Sequence, residues 1–207
     1  MLKGAQLLIN VVILICAYLL GSIPSALWIG KIFYKKDIRQ FGSGNLGTTN
    51  TFRVLGKKPG IAVLLIDIFK GTAAVLLPLL SVFADSSVHP LVLGIVSVIG
   101  HMYPIFAGFR GGKAVATSGG VILGYHFPLF VILIIVFVIA LKITKMVSLS
   151  SMIVSTVAVI YVVILWMVTG EYLLLLLIFC LAGFIFYRHR ENIKRIKAGT
   201  EPKIKGF

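Results

Sequence analysis

The segment Phe41-Gly42-Ser43-Gly44-Asn45-Leu46-Gly47-Thr48-Thr49-Asn50-Thr51-Phe52-Arg53 concentrates groups that bind oxyanions. Its three glycines let the backbone turn tightly and expose N–H groups, those of Ser43 and Gly44 among them. The side chains of Ser43, Asn45, Thr49 and Asn50 can donate hydrogen bonds, and Arg53 offers a bidentate fork. Asn50 or Thr51 is positioned to cap a helix, whose N-terminus would favour an anion. No Gly-Lys-Ser/Thr ends the run, so it is not a nucleotide-binding P-loop. The plain alternative is a flexible polar loop.

A second segment, Phe109-Arg110-Gly111-Gly112-Lys113-Ala114, leads straight into an apolar stretch. That order is expected to leave the N–H groups of Gly111 and Gly112 open beside the Lys113 ammonium, an anion site at a helix start. The alternative is a basic membrane anchor. A third is the tail Arg188-His189-Arg190-Glu191-Asn192-Ile193-Lys194-Arg195-Ile196-Lys197. If the last helix continues into it, His189, Asn192 and Ile196 share one face; otherwise it is a basic stretch touching anionic lipid. Asp67 and Lys70, three residues apart, can pair on one helical face. His101 reads as a core or capping histidine. The chain has only six carboxylates, and neither a paired-acid site nor a metal-ligand cluster is visible. Cys16 and Cys180 lie in apolar runs and suggest no disulfide.

These segments must be positioned by elements that live in lipid. Hydrophobic residues make up 59% of the 207 and charged ones 13%, too few to cover a water-soluble globule. The apolar runs are unbroken rather than alternating, which selects an all-α helix bundle over a barrel. We read seven spans in a single membrane domain, 1–207: Leu7–Trp28 (interrupted at Gly21-Ser22-Ile23-Pro24), Ile61–Phe83, Pro90–Phe106, Ala114–Tyr125, Leu129–Leu141, Met146–Val168 and Tyr172–Tyr187. The fourth and fifth are short and are expected to be two short helices; one re-entrant hairpin is the alternative. Eighteen of the 20 Lys and Arg fall in the segments 31–60, 110–113, 142–145 and 188–205, and the loops 85–89, 125–128 and 169–171 have none. Seven crossings put all four basic segments on one side, with the N-terminus outside and the C-terminus cytoplasmic. The net charge of +14 is thus a topology signal and calls for no nucleic acid.

The set Gly21-Ser22-Ile23-Pro24, Gly42-Ser43-Gly44-Asn45…Gly47…Thr49-Asn50…Arg53, Asp67…Lys70-Gly71, Gly100-His101…Pro104, Gly111-Gly112-Lys113…Val115-Ala116-Thr117 and Arg188-His189…Glu191-Asn192-Ile193…Gly199-Thr200-Glu201 resembles, in this order, the bacterial acyl-phosphate:glycerol-3-phosphate acyltransferase family (PlsY). The resemblance implies transfer of an acyl group from an acyl phosphate to the 1-hydroxyl of glycerol 3-phosphate, giving lysophosphatidate and phosphate, the first step of phospholipid synthesis. It implies no cofactor or metal and a monomer in the bacterial inner membrane, its active site facing the cytoplasm. By matching position, Ser43 and Arg53 belong to the catalytic loop, with Asn45, Thr49 and Asn50 as substrate contacts. Gly111, Gly112 and Lys113 match a phosphate-binding segment, His189 and Asn192 substrate-site residues, and Glu201 a structural brace. The chain departs from the family at Leu46 (usually Pro), Thr48 (usually Ala) and Ala114 (usually Gly). Catalysis by positioning and electrostatics is expected, with a substrate phosphate oxygen taking the hydroxyl proton and His189 as the competing base. The rival from another class is a transporter of a phosphorylated metabolite, although no internal repeat suggests one.

Overall fold

The computed structural model describes residues 2–204; Lys205, counted in the basic tail, lies outside the described residues, as does the side chain of Lys3. The protein is a polytopic all-α membrane protein, with no strand among the described residues. It forms two compact units, residues 1–125 and 126–207.

In the first unit α1 (Leu2–Ser22) stops at Ile23-Pro24, and α2 (Ser25–Tyr34) begins at once. Pro24 lacks the N–H that would carry α1 onward. Lys35, with φ of 53°, ends α2 in a left-handed turn. After α3 (Thr48–Leu55), Gly56 at φ 95° turns the chain into α4 (Lys57–Leu76), followed by α5 (Pro90–Met102) and α6 (Val115–Tyr125). Small residues let these helices approach closely, as membrane packing requires. A side chain at Gly21 would strike the Ser97 backbone and one at Gly100 the Tyr18 carbonyl, so α1 lies directly on α5. Gly71 meets the Thr117 carbonyl and Gly120 the Ile68 carbonyl, so α4 lies as closely on α6. Thr72 adds a hydrogen bond to the Gly120 carbonyl at 2.8 Å.

In the second unit α7 (Phe127–Thr144), α8 (Val147–Thr169) and α9 (Tyr172–Arg188) follow one another through left-handed turns at Lys145 and Gly170. The chain then bends by 57° into α10 (Arg190–Lys197). One expectation is corrected here. The fifth span is not short: α7 has 18 residues, because His126 and Pro128 begin the helix instead of ending a loop, the His126 ring accepting the Leu129 N–H, and because residues 142–144 continue it instead of turning. The last helix does not run straight through the tail.

Among the described residues five helices are long and apolar enough to cross a bilayer: Gly4–Ser22, Lys57–Leu79, Pro90–Ala107, Phe127–Thr144 and Val147–Thr169; the bent pair α9 and α10, taken as one span, makes a sixth. At about 1.5 Å per residue the 11 residues of α6 reach only about 16 Å. Large apolar side chains such as Leu7, Ile15, Ile135, Ile139 and Ile164 are exposed on α1, α7 and α8, a surface that only lipid solvates well.

Candidate active site

The first glycine-rich loop is folded by one side chain. Asn50, 1% exposed inside α3, donates its amide to the Ile38 and Phe41 carbonyls (3.3 and 3.1 Å) and accepts the Ser43 N–H at 2.9 Å. This closes the 41–44 turn, where Gly42 and Gly44 hold φ of 61° and 68°. A methyl at Gly42 would collide with the Asn50 carbonyl oxygen. The cap of α3 is Gly47, so neither Asn50 nor Thr51 caps it. The Thr51 hydroxyl instead bonds back to the Gly47 carbonyl. Asn50 thus occupies its polar atoms in shaping the loop.

Above this turn lies an open pocket of about 250 Å³ lined by Arg39, Ser43, Gly44, Asn45, Arg110 and Gly111. Arg39 is clamped by Asp37 through Nε and Nη2 (2.9 and 2.6 Å), and those bonds hold the Asp37 carboxyl well below the usual carboxylate range. The pair fixes a guanidinium at the pocket wall. Arg53 is exposed in the last turn of α3, its Cδ beside Gly42. Thr49 is exposed one turn earlier, and neither residue lines the pocket.

The second loop differs from expectation in its donors. The Gly111 N–H is taken by the Met102 carbonyl at 3.1 Å and the Gly112 N–H by that of His101 at 3.2 Å. These amides anchor the loop to the end of α5 and are not presented to an anion. The glycines are needed for close approach: a side chain would meet the His101 carbonyl at Gly111 and the His101 imidazole at Gly112. Lys113 follows, half-buried, and Ala114 adopts φ of 60° before α6 begins at Val115. A left-handed conformation there gives glycine a conformational reason to be usual at that position. The first N–H groups of α6 are the ones its own helix leaves unpaired.

Behind this loop is a buried ionic cluster. Asp67 on α4 accepts the Ser25 hydroxyl at 2.7 Å and the Lys70 ammonium at 2.9 Å. Lys70 also donates to the Ile23 carbonyl at 2.9 Å, and His101 Nδ1 stands 3.7 Å from Asp67.

In the second unit His189 is buried at the bend, its Nδ1 donating to the Ile185 carbonyl at 2.7 Å. Asn192 donates to Glu201 at 2.6 Å, as does Ser148 at 2.6 Å, and Arg195 Nε reaches the other carboxylate oxygen at 2.8 Å. Burial pushes the Glu201 carboxyl up, but the bonds from Ser148, Asn192 and Arg195 outweigh it and leave it below its ordinary value. Glu201 therefore ties α8, α10 and the tail together.

The structure brings Ser43, Gly44, Asn45 and Gly111 of the expected site residues around one pocket. It adds Arg39 and Arg110, which sequence reasoning had assigned to the charge that orients the protein. The signal for Arg110 was present, since it directly precedes the glycine pair. Arg39 gave none, because its role depends on a pairing with Asp37 two residues away that only the folded turn creates.

The sequence matches the family model described as Glycerol-3-phosphate acyltransferase over residues 11–199. It is 56% identical over 200 residues to the glycerol-3-phosphate acyltransferase of Enterococcus faecalis, covering 94% of this chain and 91% of the relative. It is 56% identical over 198 residues to that of Listeria monocytogenes serovar 1/2a, covering 95% and 98%. Among solved structures it is similar to the crystal structure of PlsY (YgiH), an integral membrane glycerol 3-phosphate acyltransferase. The glycerol 3-phosphate form matches with TM-score 0.85 and 37% identity over 95% of this chain and 96% of that one. The lysophosphatidic acid form matches with TM-score 0.82 and 36% identity over 95% of each. The chain thus belongs to the glycerol-3-phosphate acyltransferase family.

Proposed function

We propose that the chain transfers an acyl group from an acyl phosphate to the 1-hydroxyl of glycerol 3-phosphate, releasing lysophosphatidate and inorganic phosphate. The carrying observation is the pocket lined by Arg39, Ser43, Gly44, Asn45, Arg110 and Gly111, with Lys113 on the second loop and Arg53 on α3, which follows the first. Two guanidinium groups, a hydroxyl and an amide facing about 250 Å³ suit a three-carbon phosphate, since pockets for larger ligands run about 300–1,000 Å³. The structural relatives were solved with glycerol 3-phosphate and with lysophosphatidic acid. The family match runs from 11 to 199, across both units, which supports one functional domain. The one-sided basic segments support seven crossings, α6 being a short one, with the pocket facing the cytoplasm of a bacterial inner membrane. The protein acts as a monomer without a cofactor.

In the reaction the glycerol oxygen attacks the acyl carbon, its proton passes to a phosphate oxygen of a substrate, and the acyl–phosphate C–O bond breaks. Phosphate is a good leaving group, so the protein contributes mainly position and countercharge. Arg53, Arg110 and Lys113 hold the two phosphates together, and Ser43 and Asn45 orient the acceptor. Losing one such donor costs on the order of 100-fold in rate. His189 and Asn192 are assigned to the same reaction by their family positions, with His189 as the alternative base. Purified protein given palmitoyl phosphate and glycerol 3-phosphate is expected to release phosphate and lysophosphatidate in equal amounts. No product from folded protein would refute the proposal. Near-normal turnover in both Arg53→Ala and Lys113→Ala would refute the electrostatic scheme.

A further inference from the structure

The buried cluster behind the second loop takes no direct part in the scheme above. A buried ion pair costs desolvation that an apolar pair of similar volume avoids, so stability alone is a weak reason for keeping one. Asp67 and Lys70 are 1% and 5% exposed, within a membrane-spanning helix, and their partners lie on different segments. Ser25 opens α2, the Ile23 carbonyl belongs to the break between α1 and α2, and His101 is in the last turn of α5. His101 is also the residue on which the glycine pair rests. Its carbonyl holds the Gly112 N–H, and its imidazole fills the space that a side chain at Gly112 would need.

A cavity of about 10 Å³, room for one water, lies at this junction among Ser25, Leu46, Lys70, His101, Gly111 and Gly112. Leu46 belongs to the first glycine-rich loop, so both loops rest on the cluster. Gly111 lines the open anion pocket as well as this cavity.

We infer that Asp67 is a positioning residue for the anion pocket, acting through Lys70 and His101 to fix the Gly111–Gly112 wall and with it Arg110 and Lys113. The inference rests on the acyltransferase reading and adds to it a group that touches no substrate. Asp67 fixes where the phosphate of glycerol 3-phosphate is held. Disturbing it weakens binding more than the chemical step, because the groups that meet the transition state remain present but displaced.

The test uses the full-length protein in detergent. Asp67→Asn keeps the volume and the Ser25 acceptor but leaves Lys70 without its counter-ion. It is expected to raise the KM for glycerol 3-phosphate about 10- to 100-fold, the range found when supporting groups are removed, with kcat changed less than about threefold. The double variant Asp67→Asn/Lys70→Met removes both charges and is expected to recover thermal stability. Its KM stays raised, because His101 still lacks its anionic neighbour. Ser25→Ala, which removes no charge, raises the KM in the same direction by a smaller factor. A wild-type KM in Asp67→Asn, or recovery of KM together with stability in the double variant, overturns the inference and leaves a structural role only. If the wild type does not turn over palmitoyl phosphate, the acyltransferase reading fails. Calorimetric binding of glycerol 3-phosphate to the same variants then decides the inference by itself, and a wild type that binds none overturns both.

Discussion

Asn50 separates two accounts of the first loop, a substrate contact or the group that folds the loop. In Asn50→Ala three hydrogen bonds disappear, but their partners suffer unequally. The Ile38 carbonyl still accepts the Phe41 N–H, and the Phe41 carbonyl still accepts the Gly44 N–H. The Ser43 N–H loses its hydrogen bond to the Asn50 side-chain oxygen, its one partner among the described residues. An unsatisfied amide costs about 1–3 kcal/mol, and because Ser43 is exposed, water brings that toward the low end. With about 0.5 kcal/mol for each of the other two bonds, the loss is about 2 kcal/mol. For a chain of this size that lowers the melting midpoint by roughly 4–8 °C. Asn50→Asp keeps the size and the bond to Ser43, but sets a carboxylate oxygen against two carbonyl oxygens at 3.1 and 3.3 Å. Burial raises the pKa of such a carboxyl above its unfolded value. Its protonated form donates as the amide did, so the deficit is small in acid and grows as the pH rises through the folded pKa. The assay is the melting midpoint of wild type and both variants in detergent at pH 5 and pH 8. The alanine deficit should be the same at both, and the aspartate deficit larger at pH 8. Wild-type midpoints in both variants together with a raised KM for glycerol 3-phosphate would show that Asn50 contacts substrate and does not hold the loop.

Three further outcomes are expected. Arg110→Ala removes an exposed guanidinium from the pocket wall; charge-assisted hydrogen bonds contribute about 1.5–3 kcal/mol, so the KM for glycerol 3-phosphate rises about 10- to 100-fold with unchanged melting, and an unchanged KM counts against the pocket. Glu201 has a folded pKa below its unfolded value of 4.5, so its stabilisation is complete above that value and is lost as the pH falls through the folded one. Wild type should therefore melt above Glu201→Gln at pH 7, and the gap should close toward acid; a gap constant with pH refutes this. Gly71→Ala pushes a methyl into the Thr117 carbonyl and the Val121 N–H, and overpacking of this kind costs about 1–3 kcal/mol, read as a lower melting midpoint.

The sequence showed where lipid-facing helices lie because apolar runs of about 20 residues have few other uses. It also showed which loops carry anion-binding groups. It failed where one residue type serves two purposes. Gly111-Gly112 beside Lys113 reads as open amides, but equally as the small residues that let a loop lie on the end of a helix. Only the two hydrogen bonds to the Met102 and His101 carbonyls decide between these. Asn50 reads as a cap or a ligand because a side-chain amide does either, and its burial inside α3 was not written in the pattern. The sequence understates the length of α7 because His126 and Pro128 read as breakers and Lys142–Lys145 as a turn, whereas proline within a first helical turn loses nothing and the helix runs on to Thr144. The Asp67–Lys70 pair was legible from its spacing, but its connection to Ser25, Ile23 and His101 joins segments far apart in the chain.

The six carboxylates match only part of the charge of the 20 Lys and Arg. Asp85 and Glu171 lie in the loops that carry no Lys or Arg. The other four each meet a cation: Asp37 with Lys31 and Arg39, Asp67 with Lys70, Glu191 with Arg190 and Lys194, Glu201 with Arg195. Arg53, in the last turn of α3, and Arg110, on the pocket wall, form no ion pair among the described residues. A cation already matched by a carboxylate offers a phosphate little net attraction, because the new anion must compete with the resident one. Asp37 holds Arg39, which lines the pocket, at 2.6 Å. The Arg110 guanidinium, unmatched by an acid among the described residues, lines the open pocket. Arg39 lines the pocket already held by Asp37, and Arg110 lines it unmatched by an acid, so under the proposed function Arg110 supplies the charge that a substrate phosphate would meet.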